Sequence, residues 1–535
     1  MRNTLLVAAL ALCGCGRSSP HLFAADRGEG ETEGDLEAEG STGVPSCEDA
    51  PSACVVELDL RRAVDILFVV DNSGSMGGEQ GTLARSFGSF IQVLEEQQVG
   101  ANYRIGVTNT SIGGTLRATS CRSRLDEFTF EWQFGSVDEV QRGCLDHCQF
   151  EPLSLSDPWV EKSSGTTNLP PGVTMEGALQ CIGPQGVNGS GFEQPLEAIR
   201  GALTSTTNGF IRDDALLAVI FVTDEADCSG TEDDITWLQT SGSVFWTTPE
   251  RATSGACWRA GTRCFGGPGT YGDCVAVDYD YMGNETTEPH KAILYSLERY
   301  KDTLKDIARA KQEAGGQGEV LVAAIAGVPI DYPQTGQIVY ADSPFPDFNI
   351  EYGIGPGCDL GTETVNSPPG IPPVRLREFA EAFATVGRNV FSVCADDYGV
   401  ALESIASAIG EVNERACVAG CVSDAAPTSP GLQPKCSLVE RFPDDTPDRA
   451  VPQCSIDDTG WDFPSPIIDV CYRALTDQSD FTATPHDDMS AQCSTFGANV
   501  EFVLERREGT PVAAGTSVHV GCDLQAPVGF LCDDL

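Results

Sequence analysis

Val64-Asp65-Ile66-Leu67-Phe68-Val69-Val70 runs directly into Asp71-Asn72-Ser73-Gly74-Ser75-Met76, an apolar run followed at once by a polar turn. The first seven residues are almost continuously apolar, the pattern of a strand buried on both faces rather than on one. Such a strand needs helices above and below it. Leu83, Phe87, Phe90, Ile91 and Leu94 follow at helical spacing, and Tyr103 to Thr108 reads as a second strand. Leu216 to Val222 repeats the apolar run. A long helix is predicted from His290 to Glu313, with Ile293, Leu297, Tyr300, Leu304 and Ile307 on one face and Gly315 as its stop. Strand Val320 to Ala326, helix Arg375 to Phe383, strand Asn389 to Val393 and helix Gly399 to Ile409 continue the alternation. The predicted class is therefore α/β, with a mostly parallel central sheet and helices on both faces.

Three stretches interrupt this pattern, at about 121–189, 228–288 and 329–373, all rich in Gly, Pro and Cys. They exceed ordinary connections and read as insertions, tied by disulfides or carrying function. Beyond Cys417 the helical pattern stops. Alternating runs such as Val500 to Leu504 and Ser517 to Val520 point to a small, cysteine-rich, β-rich module over 417–535, leaving 47–416 to the α/β domain.

Lys and Arg total 33 against 79 Asp and Glu, a formal net charge of −46. That balance repels phosphate backbones and anionic membrane surfaces, so no nucleic acid is expected among the partners. Arg2, the apolar run Leu5 to Leu12 and the small residues after it form an export signal. In Leu12-Cys13-Gly14-Cys15 the small Gly14 makes Cys15 the expected lipidation site, since Leu12 fits the cleavage position before Cys13 less well. Residues 1–15 are thus signal and lipidation site. Residues 16–46 form a tether, with seven acidic residues between Asp26 and Glu39 and too little apolar area to fold. No later segment has the roughly 18 apolar residues of a spanning helix, so the lipid is the expected membrane anchor. Removing Cys13 with the signal and acylating Cys15 leaves 22 − 2 = 20 cysteines, an even number suited to disulfides in an oxidising compartment. Zinc at Cys144, His147 and Cys148 is the alternative use.

Asp71, Ser73 and Ser75 sit where ligands collect in open α/β sheets, beyond the carboxyl end of a strand, with Gly74 expected to permit a sharp turn. Hydroxyls and carboxylates are hard donors suited to Mg²⁺, Ca²⁺ or Mn²⁺. Asp224, after the strand ending at Val222, is released onto the same edge.

These residues resemble the von Willebrand factor A (VWA) family, whose metal-ion-dependent adhesion site (MIDAS) combines a D-x-S-x-S turn, a threonine on a later loop and an aspartate after the fourth strand. The resemblance covers about Asp65 to Val412 and implies a Rossmann-like fold. It implies serines on the ion, aspartates often acting through water, and a last position open to a partner's acidic group. The loop Asn188 to Ala198 holds no threonine; by spacing Glu193 falls nearest that position and Ser190 next, while Glu193 as a cap on the following helix is the other reading. A glutamate there would favour Ca²⁺ and weaken attraction for an incoming carboxylate. The lipid-like N-terminus, insertions and cysteine-rich tail resemble exported VWA-type lipoproteins of delta-proteobacteria, which places the chain in the cell envelope, lipid-anchored at the outer membrane or cell surface of a Gram-negative bacterium. No G-x-S-x-G elbow occurs and no histidine neighbours Ser73 or Ser75 in sequence, so the expectation is a binder of another extracytoplasmic protein, not an enzyme. The alternatives are a structural envelope protein with a purely stabilising ion and a metal-dependent hydrolase.

Overall fold

The computed structural model describes Leu58–Leu60 and, with short interruptions, residues 63–526. The export signal with Cys15, the acidic tether, and Cys47 and Cys54 lie outside the described residues.

The central sheet is built from β1 (Val64–Val70), β2 (Asn102–Asn109), β3 (Trp159–Ser163), β4 (Leu216–Val222), β5 (Val320–Ala326) and β6 (Val390–Ser392). Their order is β6-β5-β4-β1-β2-β3, with the short strand Thr166–Thr167 on the β3 edge. All neighbours from β6 to β2 pair in parallel, and β3 pairs antiparallel to β2. The main helices are α1 (Gly77–Glu96), α2 (Met175–Ile182), α3 (Pro195–Thr204), α4 (Glu232–Leu238), α5 (Gly255–Gly261), α6 (Leu297–Glu313), α7 (Pro346–Tyr352), α8 (Val374–Glu381) and α9 (Gly399–Asn413). Alternation along β1 sends Ile66, Phe68 and Val70 into one core with α1, α2 and α9. Leu67 and Val69 enter the other, with α3, α6 and α8. Phe68 meets Phe87 and Phe90 edge-on, with ring centroids 5.3 and 5.5 Å apart. The two-sided burial expected of the Val64–Val70 run is what the structure shows.

Two sequence expectations are corrected. The stretch 121–189 is not wholly an insertion, because it supplies β3 and α2, whose Val160, Ala178, Leu179 and Ile182 lie in the main core. The predicted helix from His290 begins instead at Leu297. The N–H groups of Ile293 and Tyr295 donate to the carbonyls of Tyr279 (2.8 Å) and Ser229 (3.0 Å), so the second insertion captures this backbone before it can coil.

The second and third insertions form one subdomain. Strands Thr262–Gly267 and Thr270–Ala276 are joined by Tyr340–Ala341 into an antiparallel sheet, over a core of Trp258, Tyr340, Ile354 and Ile371. All ten cysteines from Cys121 to Cys394 are paired, as 121–144, 148–181, 228–257, 264–274 and 358–394. Cys144 and Cys148 are therefore disulfide sulfurs, and zinc at Cys144, His147 and Cys148 is ruled out.

The C-terminal module is β-rich, with Phe502, Leu504, Val518 and Val520 in its core and disulfides 417–493, 436–522 and 454–471; Cys421 is disulfide-bonded as well. It recruits chain from both ends of the α/β domain. Leu58–Leu60 pairs with Ser517–Cys522, and Arg415–Cys417 pairs with Glu501–Arg506. Among the described residues no helix is long and apolar enough to cross a membrane.

Candidate cation site

The chain lays β1, β2 and β3 outward in one direction and then returns to the other side of β1 with β4, so the strand order reverses between β1 and β4. Crevices at such a reversal, beyond the carboxyl ends of the strands, are the binding sites of open α/β sheets. Val70 and Val222 are in register there, and the Asp71 N–H donates to the Val222 carbonyl at 2.9 Å. Asp71 and Thr223-Asp224-Glu225 thus leave adjacent strands side by side.

Asp71 is fully buried. Its Oδ1 accepts from the Ser73 N–H at 2.7 Å and its Oδ2 from the Thr223 hydroxyl at 2.5 Å. The Ser73 and Ser75 hydroxyls are 3.0 Å apart, and Ser75 hydrogen-bonds Asp224. Gln80 of α1 holds the turn in place. Its Nε2 donates to the carbonyls of Asp71 (2.7 Å) and Gly186 (2.6 Å), while its Oε1 accepts from the N–H groups of Gln185 (2.8 Å) and Gly186 (3.2 Å). One amide therefore fixes the distance between the turn and the loop before α3. Gly74 has a steric role, because a Cβ there would lie 2.5 Å from the Phe130 ring, and its φ is not positive. The first insertion consequently lays an aromatic ring on the turn.

Glu193 stands in this loop with its side chain buried. Its Oε2 accepts from the Thr110 hydroxyl, which is also 3.3 Å from Asn72 Oδ1, and its Oε1 has no partner. Helix α3 starts at Pro195, and the Glu193 side chain meets the Thr110 hydroxyl rather than an N–H of that helix, so the capping reading is set aside. Ser190 is exposed and only accepts from the Phe192 N–H, outside the site. Asp71, Ser73, Ser75, Asp224 and Glu193 are thus gathered at one end of the sheet, while Cys15 lies outside the described residues.

Sequence reading missed Thr110, Thr223, Glu225 and Glu79. The signal available was position, since Thr110 follows β2 and Thr223 and Glu225 flank Asp224. Burial pushes Asp71, Glu193, Asp224 and Glu225 above the ordinary carboxylate range. The neighbouring Asp71 charge adds to the rise at Glu193, Asp224 and Glu225. Glu79 is pushed up to about 7, first by burial and then by Glu139 and Asp71, against the pull of Arg142.

Buried polar atoms in folded proteins are nearly always paired, and each exception needs a reason. Here Glu193 Oε1, Asp224 Oδ1, Glu225 Oε2 and Glu79 Oε2 lack hydrogen-bond partners. The donor set is all oxygen, hydroxyl and carboxylate together, and suits a hard divalent cation. Among the described residues no three His, Cys, Asp or Glu side chains converge at metal-ligand spacing.

No family model matches the chain, and no curated protein matches it. Two solved structures of the pilus adhesin SpaC from Lactobacillus rhamnosus GG, one of them in an open conformation, align with 86% of this chain at 12% identity and a TM-score of 0.27. This chain covers 39% and 38% of those two chains. At that TM-score the likeness carries no argument. The chain is defined by its own geometry, as an α/β protein with a parallel-rich central sheet, disulfide-tied insertions, and buried carboxylates beside serine hydroxyls at the strand-order reversal.

Proposed function

We propose that this chain is an exported, lipid-anchored envelope protein that binds a divalent cation (Mg²⁺, Ca²⁺ or Mn²⁺) at Asp71, Ser73, Ser75, Asp224 and Glu193, in a domain of VWA type. It binds another extracytoplasmic protein with the insertions around that site. The cation part rests on the unpartnered buried oxygens of Glu193 and Asp224. The binding part is carried by one observation. Among the described residues, the exposed large apolar side chains concentrate on the insertions: Val244, Phe265, Tyr281 and Met282 on the second, Ile330, Val339 and Phe345 on the third. Seven exposed apolar side chains carried by the two insertions give these loops the apolar area that a protein partner would cover. An acyl group on Cys15 and the acidic tether would hold this surface away from the membrane.

Catalysis is not proposed. The serine hydroxyls bond each other and Asp224 rather than an imidazole base, and a nucleophile needs such a base. Calorimetry of the full chain with Ca²⁺ and with Mg²⁺ tests the cation: one site is expected, absent in Asp71→Ala, and equal heats in the two proteins would remove the assignment. Met282→Glu combined with Phe345→Glu is expected to abolish capture of envelope proteins while cation binding persists. Undiminished capture would move the binding surface elsewhere.

A further inference from the structure

The VWA resemblance implies an ion whose last coordination position waits for a partner's carboxylate. The surroundings of this site point elsewhere. Glu193, with 1% exposure, and Asp224, with 2%, each direct an unpaired oxygen into the interior at the strand-order reversal. Glu225 adds a third unpaired oxygen, Oε2, and its carboxylate is hydrogen-bonded by Ser254, the residue that opens α5 in the second insertion. Glu351 of α7, in the third insertion, also acts on Glu225 through its charge. The two insertions are bound to each other beside this point, since Thr253 donates to the Ile350 carbonyl at 2.8 Å and Arg259 to the Asn349 carbonyl at 2.6 Å. The Ile371 N–H, at the end of the third insertion, donates to the Asp224 carbonyl at 2.8 Å.

Building on the cation site proposed above, we propose that Glu193 and Glu225, acting through their charge beside the ion rather than as a converging set of ligands, make it an internal latch that closes the second and third insertions onto the sheet edge. Asp71, Asp224, Glu193 and Glu225 bring up to four negative charges around one divalent ion. The field therefore stays negative after binding and repels an incoming acidic group, while the ion relieves the repulsion that pushes Glu225, and the α5 start bonded to it, away from Asp71 and Asp224. The partner then meets the apolar surface of the insertions and not the ion itself.

The test uses the full chain, Ca²⁺ as probe, and the variants Glu193→Thr, Glu193→Gln, Glu225→Gln and Asp71→Ala, with circular dichroism to confirm folding. Glu193→Thr and Glu225→Gln are expected to weaken Ca²⁺ binding roughly ten-fold or more, as loss of supporting groups around a metal does. The near-isosteric Glu193→Gln should weaken it as Glu193→Thr does, because charge rather than shape is lost. Trypsin cleavage within 228–288, after Arg259 or Arg263, should be slow in Ca²⁺ and fast in EDTA for the wild-type protein, and fast in both for Glu225→Gln. Wild-type affinity in the Glu193 and Glu225 variants, or cleavage insensitive to EDTA, overturns the latch while leaving the cation site standing if Asp71→Ala still abolishes binding. A wild-type protein that binds no Ca²⁺ removes both.

Discussion

Strand β1 carries a buried acid at each end, and the two ends are treated differently. Asp65, at the amino end, and Asp71, at the carboxyl end, are both fully buried. Asp65 accepts from Arg212 twice, from its N–H at 2.7 Å and its Nε at 2.8 Å, and Lys311 reaches the carbonyls of Arg212 and Ala215 beside it. Asp71 has hydroxyl and amide donors and, among the described residues, no basic side chain acting on it, and the carboxylates near it, Glu193, Asp224 and Glu225, leave oxygens unpaired. The same sheet thus completes its charge bookkeeping at one end and leaves it open at the other. A buried acid paired with an arginine is architecture; buried acids that each keep an unpartnered oxygen are where a binding role is to be tested.

The largest effect is expected where pairing is complete. Asp65→Ala leaves the half-buried Arg212 without its carboxylate and removes a negative charge near the buried Lys311, and should destabilise the fold by about 3 kcal/mol, equally in Ca²⁺ and EDTA. Denaturant unfolding measures this. A loss that changes with Ca²⁺ would erase the distinction between the ends.

A smaller, ion-dependent effect belongs to the other end. Ca²⁺ at a hundred times its dissociation constant should raise wild-type stability by about 2.7 kcal/mol and leave Asp71→Ala unchanged. In EDTA, Asp71→Ala should be at least as stable as the wild type, because a buried carboxylate near Glu193, Asp224 and Glu225 has been removed. A clear destabilisation of Asp71→Ala in EDTA would mean that its hydrogen bonds to Ser73 and Thr223 outweigh that repulsion.

The contrast between the ends also explains what could be read from the sequence. The apolar runs of β1, β4 and β5 are nearly continuous because both faces are buried, so they stand out without any knowledge of partners. Asp71, Ser73, Ser75 and Asp224 were legible because each follows such a run. β3 was not, since Glu161 and Lys162 interrupt a five-residue strand set among Gly, Pro and Cys. Glu193 was placed by spacing to α3, yet its side chain is held by Thr110, which follows β2 and lies 83 residues earlier. Arg212 and Lys311 escaped notice for the same reason. They meet Asp65 only through packing between residues about 150 and 250 positions apart in the chain, and local pattern carries no trace of that.

The finest test separates the ends by pH. Glu79 has its carboxyl raised from the ordinary 4.5 to about 7 in the folded protein, and the other acids at this end shift in the same direction. A raised acid takes up a proton on folding between these two values, so without metal the contribution of this end is most favourable below 4.5 and falls as pH rises through about 7. In EDTA, stability should therefore increase as pH is lowered from about 7 toward 4.5. Ca²⁺ supplies the positive charge that the proton otherwise brings, so in saturating Ca²⁺ this slope should flatten or reverse as protons compete the ion away. Asp65 is also raised by burial, against the opposing pull of Arg212 and Lys311, but its contribution is the same with and without the ion and cancels in the difference. The difference between the two pH profiles, measured by thermal unfolding, isolates the carboxyl end of the sheet and should vanish in Asp71→Ala. Profiles that coincide in the wild-type protein would show that these acids do not face a cation.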